Sequence, residues 1–175
     1  MKQAKRPLQT LAETALCAAV LCVVSPFTIP GPGAVPISLS TFCILAAALL
    51  LGWAKALAAV AVYLALGAAG LPVFSGGTGG VGVLMGPTGG YLFGYLFLAF
   101  FSGLFWKRGF WLRLATALFG TLALYAFGTA WFMIRLDQDI VASLTVCVLP
   151  FLPGDAIKIA AAFFFRRAFR RRKLF

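Results

Sequence analysis

The chain has 175 residues, of which 62% are hydrophobic and 11% charged, and its net charge is +11. A soluble fold of this length cannot hide so much apolar surface, so a membrane or a partner must cover it. The position of the charge argues against nucleic acid: Arg166, Arg167, Arg170, Arg171, Arg172 and Lys173 directly follow an apolar segment, where basic clusters attract anionic lipid and fix topology.

Taken in order, the apolar runs do not alternate with polar residues, which excludes a spanning barrel and predicts an all-α integral membrane protein formed from one transmembrane domain, residues 1–175. After a basic start (Lys2, Lys5, Arg6) the first span covers Leu8 to about Val24 and is read as a retained helix rather than a cleavable leader. Glu13 lies near its charged end, free to stay hydrated or to pair with a basic neighbour. Ala15 and Ala19 form a small-xxx-small pair, with Ala12, Ala18 and Cys22 adding to a face of small side chains. Such a face serves packing within the chain or contact with another helix in lipid.

Ser25 to Pro36 carries Pro26, Pro30, Pro32 and Pro36 and cannot be a continuous helix. Ser38 to Leu51 is a short second span, Ala56 to Ala69 a third, and Pro87 to Phe105 a fourth. Between the third and fourth lies Leu71 to Tyr91, with eight glycines in twenty-one residues and no charge. It is either a floppy connection or a folded cap over a small-molecule site. Phe110 to Ile134 is the fifth span, Ile140 to Leu149 is too short to cross, and a final span runs from Gly154 to Phe169.

Basic residues concentrate at the N-terminus, at Lys55, at Lys107 to Arg113 and in the C-terminal tail, on alternate connections. The positive-inside rule then gives six spans with both termini cytoplasmic. It also places the three Pro- and Gly-rich connections together on the outer side, as the rim of a site open to the outside.

Catalysis has little support. With no histidine, a Ser-His triad or a His-ligated metal is impossible, and no phosphate-binding GxxxxGK[ST] loop is present. No metal site is expected. Cys17, Cys22, Cys43 and Cys147 are scattered as small buried hydrophobes. The sharpest signal is Pro153-Gly154-Asp155-Ala156-Ile157-Lys158, which puts Asp155 and Lys158 on one face at the start of the last helix. Ionisable groups inside an apolar span are expensive and mark function by default, although a purely structural ion pair is the competing reading. A second signal is Gly86-Pro87-Thr88-Gly89-Gly90-Tyr91, where Pro87 suits a helix start, glycines clear one helix face and Tyr91 supplies an aromatic wall. A third is Ser38, Ser40 and Thr41 at the outer end of the second span, as helix caps or ligand contacts. Trp53, Trp106, Trp111 and Trp131 lie near span ends, where interfacial anchoring is the simplest role.

At these residues the sequence resembles the BioY family, the substrate-binding S components of energy-coupling factor transporters for biotin. The matching pieces are VPISLSTF at Val35–Phe42, GLPVFSGGTGGVGVLMGPTGGYL at Gly70–Leu92 and LPGDAIK at Leu152–Lys158, in the family's order and spacing. The resemblance implies a six-helix S-component fold in the cell membrane of a prokaryote that captures biotin from outside, with no cofactor. It implies assembly with a transmembrane coupling subunit and two cytoplasmic ATPase subunits, contacted through Ala15 and Ala19. The site residues it implies are Asp155, Lys158, Tyr91, Thr88, Gly89, Gly86, Ser75, Thr78, Thr41 and Phe74. Family members carry a polar side chain, often Asn, just after the PVF segment; here Ser75 and Thr78 are the candidates. Lys158 either meets the biotin carboxylate or orients Asp155. An S component for another vitamin and, from a different class, a membrane scaffold or assembly subunit without a small ligand stay open.

Overall fold

A computed structural model describes residues 2–29 and 37–171. Pro30, Pro32, Pro36 and Val35 of the Pro-rich connection, and Arg172 and Lys173 of the basic tail, lie outside the described residues. Among these residues eight α-helices follow in order: α1 (Lys2–Val24), α2 (Ser40–Leu51), α3 (Trp53–Ala68), α4 (Val81–Met85), α5 (Gly89–Leu104), α6 (Phe110–Leu136), α7 (Ile140–Cys147) and α8 (Leu152–Arg171). A two-residue antiparallel pair, β1 (Thr28–Ile29) with β2 (Ile37–Ser38), closes the neck of the first connection.

Six apolar helical segments therefore appear where the hydropathy pattern places them. Among the described residues, only Pro7–Val24 and Phe110–Leu136 are long and apolar enough to cross a membrane by themselves, and α7 with α8 forms a third crossing if the pair, bent by 47°, counts as one span. The other three, α2, α3 and α5, are shorter. At 1.5 Å per residue, α2 reaches only about 18 Å of a core about 30 Å thick. The bend between α7 and α8 sits at Pro150, whose ring cannot continue the helix before it.

α5 is the central helix. It packs most extensively on α6, and also on α2 and α3, while α8 packs on α2 and α1 on α3. Small residues allow the close α5–α6 approach. A Cβ on Gly94 would meet Leu124 of α6, and one on Gly90 would run into the Trp131 side chain. In return, Gly128 of α6 makes room for the Tyr91 ring. Gly90 and Gly94 thus serve helix packing, whereas Gly86 lies outside α5 altogether. The helix starts at Gly89 rather than at Pro87, which stays in the turn before it. A side chain at 89 would strike the Leu84 carbonyl, so the turn must be this tight.

The Gly-rich connection is folded rather than floppy. Phe74 is 1% exposed and stacks edge-on against Tyr63, with ring centroids 5.5 Å apart. Its ring fills the space that a side chain at Gly67 would need. The Gly80 N–H donates to the Gly67 carbonyl at 2.7 Å, and Phe74 N–H to the Thr78 carbonyl at 2.9 Å. Gly76, Gly77 and Gly80 hold positive φ, which permits this path. At the other end, Trp131 Nε1 donates to the Gly86 carbonyl at 2.9 Å and the Arg135 guanidinium donates to the Met85 carbonyl. Phe74 is therefore a core plug. Phe74→Ala is expected to cost about 3–5 kcal/mol, read as a lowered melting temperature in detergent, because the cavity left behind is walled by α3.

Glu13 pairs with Lys55, tying α1 to α3. Trp131 and Trp106 act as packing posts: Trp106 covers Gly52, and its carbonyl accepts from Arg166 at 2.6 Å. Trp111 and Trp53 remain exposed, as anchors would be.

Candidate functional site

Four helices bring polar side chains to one small cavity, of about 50 Å³. Its polar lining includes Ser38, Thr41, Tyr91, Tyr95, Tyr125, Asp155 and Lys158; Leu124, Cys147 and Phe151 give it apolar wall. Each position has a local cause. Asp155 lies in the first turn of α8, where the helix dipole favours a carboxylate, and Lys158 follows three residues later on the same face. Tyr91 and Tyr95 are four residues apart on α5 and share a face. Thr41 is in the first turn of α2, and just before that turn the Ser38 Oγ accepts from the Ser40 N–H at 3.1 Å.

The centre of the site is a closed hydrogen-bond network. Lys158 Nζ lies 2.8 Å from Asp155 Oδ1 and donates also to Thr41 Oγ1 at 3.1 Å. Thr41 Oγ1 reaches Asp155 Oδ1 at 3.5 Å. The second carboxylate oxygen, Oδ2, accepts from the Tyr125 hydroxyl at 2.5 Å. Asp155 is 6% exposed, so this ion pair is nearly dry and its partners matter for keeping it there. Farther along the wall, the Tyr91 hydroxyl pairs with Thr129 Oγ1 at 3.0 Å and donates to the Cys147 carbonyl at 3.4 Å.

Of the residues expected from sequence, Asp155, Lys158, Tyr91 and Thr41 meet at this cavity. Six others do not line it. Phe74 is in the core beneath the Gly-rich connection. Ser75 and Thr78 lie in that connection, where the Thr78 hydroxyl donates to the Ser75 carbonyl at 3.0 Å. Gly86, Thr88 and Gly89 form the turn that launches α5 and so set the place of Tyr91. Ser40 is fully buried and donates to Ser25 Oγ at 2.8 Å, an internal tie rather than a cavity contact. Ala15 and Ala19 are exposed on α1. Sequence reasoning missed Tyr95, Tyr125, Leu124, Cys147 and Phe151 as lining residues. Only Tyr95 carried a usable signal, its four-residue spacing from Tyr91.

Comparison with known proteins agrees over nearly the whole chain. The model of the BioY family matches residues 1–174. The chain is 38% identical over 158 residues to the biotin transporter BioY of Thermotoga maritima, covering 89% of this chain and 92% of that one. It is 36% identical over 130 residues to the probable biotin transporter BioY of Pyrococcus horikoshii, covering 74% and 77%. Among solved structures, the S-component for biotin from an ECF-type ABC transporter superposes with a TM-score of 0.82 at 31% identity, over 95% of this chain and 93% of that one. With the motifs, the helix order and a full-length match in agreement, the chain belongs to the BioY family.

Proposed function

We propose that this protein is a biotin-binding S component, a non-enzymatic membrane subunit that captures biotin from the outer side and delivers it inward with an ATP-driven transporter. The observation that carries this reading is the Asp155–Lys158 pair, buried together in a cavity with aromatic walls. An ionised carboxylate has roughly four acceptor places and an ammonium three donors. Tyr125, Thr41 and Lys158 occupy three of the former, while Asp155 and Thr41 occupy two of the latter. About one acceptor, on Oδ2, and one donor, on Lys158, are left in the same cavity. That is the complement of an H–N–C=O edge, such as biotin's ureido ring presents. Lys158 then both orients Asp155 and offers its remaining proton to the ligand. Leu124, Phe151 and the tyrosine faces suit the apolar thiophane ring.

In this reading, Asp155, Lys158, Tyr91 and Thr41 make direct contacts, and Gly86, Thr88 and Gly89 act by shaping the turn before Tyr91. Ser75 and Thr78 belong to the outer rim. The chain crosses the membrane six times with both termini cytoplasmic, supported by the alternating basic bias of its connections. The exposed Ala15–Ala19 face of α1 is the surface offered to a transmembrane coupling subunit, and two ATPase subunits supply the energy. The test is direct. Purified protein is expected to bind biotin in calorimetry at micromolar concentration and to be stabilised by biotin above other vitamins in a thermal-shift panel. Absence of both effects overturns the reading.

A further inference from the structure

The Tyr125–Asp155 bond links α6 and α8 at the cavity; away from it, the same two helices touch through the Phe110 and Phe163 rings, with centroids 5.3 Å apart. α8 packs chiefly on α2, and α7, which precedes it, packs on α6. Between α7 and α8 the chain bends by 47°, so the first turn of α8 is not aligned by the helix before it. Asp155 stands in that turn. Lys158 rides on α8 with Asp155 and is itself bonded to Thr41 on α2 at 3.1 Å, so it ties the carboxylate to α2 and not to α6. The ties to other helices are Thr41 on α2, at 3.5 Å, and Tyr125 on α6, at 2.5 Å. The latter is the shorter and lies in the distance range of a hydroxyl donating to a charged oxygen.

We propose that Tyr125 is the positioning residue of this site: it holds Asp155 in the orientation that meets the ligand, and it acts on affinity through that carboxylate. Its one proton is committed to Asp155 Oδ2, so it has none to donate to a ligand in this geometry. Tyr125 is 8% exposed, with the hydroxyl reaching a partner thirty residues on in the chain. Removing the hydroxyl frees the carboxylate to rotate about its side chain or to turn toward Lys158. The ligand must then reimpose the orientation on binding, which lowers affinity.

The inference rests on the biotin-binding reading, and a double-mutant cycle separates the two. Biotin affinity is measured for the unaltered protein, Tyr125→Phe, Asp155→Asn and the double variant, by calorimetry in detergent. Tyr125→Phe is expected to weaken binding at least fivefold when Asp155 is present, and less than twofold in the Asp155→Asn background, where no charged oxygen remains to be held. Leu124→Val, a cavity-wall change that makes no bond to Asp155, should weaken binding by the same factor in both backgrounds. Should Tyr125→Phe fail to fold, Tyr125→Met removes the same hydroxyl and replaces it in the cycle. Equal losses with and without Asp155, or no loss at all, overturn the positioning role while leaving biotin binding intact. Absence of biotin binding by the unaltered protein overturns the functional reading and this inference with it.

Discussion

Replacing Asp155 by Asn is expected to weaken biotin binding by more than tenfold, about 1.4 kcal/mol or more. The substitution keeps the size and shape of the side chain and removes its charge. Three donors now converge on that carboxylate, from Lys158, Thr41 and Tyr125. With Asn, the hydrogen bond left for the ligand is no longer charge-assisted, and such bonds are roughly twice as strong as neutral ones. The Lys158 ammonium also loses its counter-charge in a nearly dry site, where an unmatched charge is costly. Titration calorimetry on the variant, with its ligand-free melting temperature measured alongside, separates loss of affinity from loss of fold. Unaltered affinity would remove Asp155 from the binding site.

A second large effect is expected at the opposite end of α5, far from any ligand. Gly103→Ala should leave little folded protein, seen as a collapse of the monodisperse peak in detergent and a strongly lowered melting temperature. A Cβ there would lie 2.5 Å from Trp53 Cα and 2.8 Å from the Gly52 carbonyl carbon. Those are backbone atoms of the turn joining α2 to α3, and Gly52 is itself held at φ +89°. A side chain could swing away; this turn cannot without parting α5 from α3. Overpacking commonly costs about 1–3 kcal/mol, and a clash against backbone belongs at or above the top of that range. Gly82→Ala is the matched control, because nothing lies within 4 Å of a Cβ at that position. It should melt close to the unaltered protein.

The two effects differ in how readily the sequence reveals them. Asp155 and Lys158 stand out because ionisable residues inside an apolar run need a reason to be there. Thr41 and Tyr91 follow from the polar and aromatic markings of two span ends. Tyr125 could not be found that way: a tyrosine in the middle of a long apolar helix looks like ordinary core, and its partner is thirty residues away. Phe74 shows the opposite error. It sits in a Gly-rich connection with no period, next to a candidate contact region, yet its fate is set by the space left at Gly67 on the preceding helix. The glycine spacing of the fourth span predicted a cleared helix face, and Gly90 and Gly94 do clear one. It could not tell that Gly86 would fall in the preceding turn, since helix starts depend on the fit of that turn against Leu84. Most helix bounds were legible to within a few residues, whereas the 47° bend at Pro150, which sets α7 off from α8, was not.

The ion pair at the centre has a consequence for how a ligand arrives. Its charges lie 2.8 Å apart and cancel, so from a Debye length away, about 10 Å at 0.1 M salt, the pair is only a weak dipole. In the proposed orientation, the chain's large positive charge is concentrated at the cytoplasmic ends, where it cannot draw a solute toward the outer mouth. Capture therefore depends on diffusional encounter rather than on electrostatic steering. Small inorganic anions, although drawn to isolated lysines, find here a cation that is already neutralised. Such a receptor gains discrimination at contact range and gives up speed at long range.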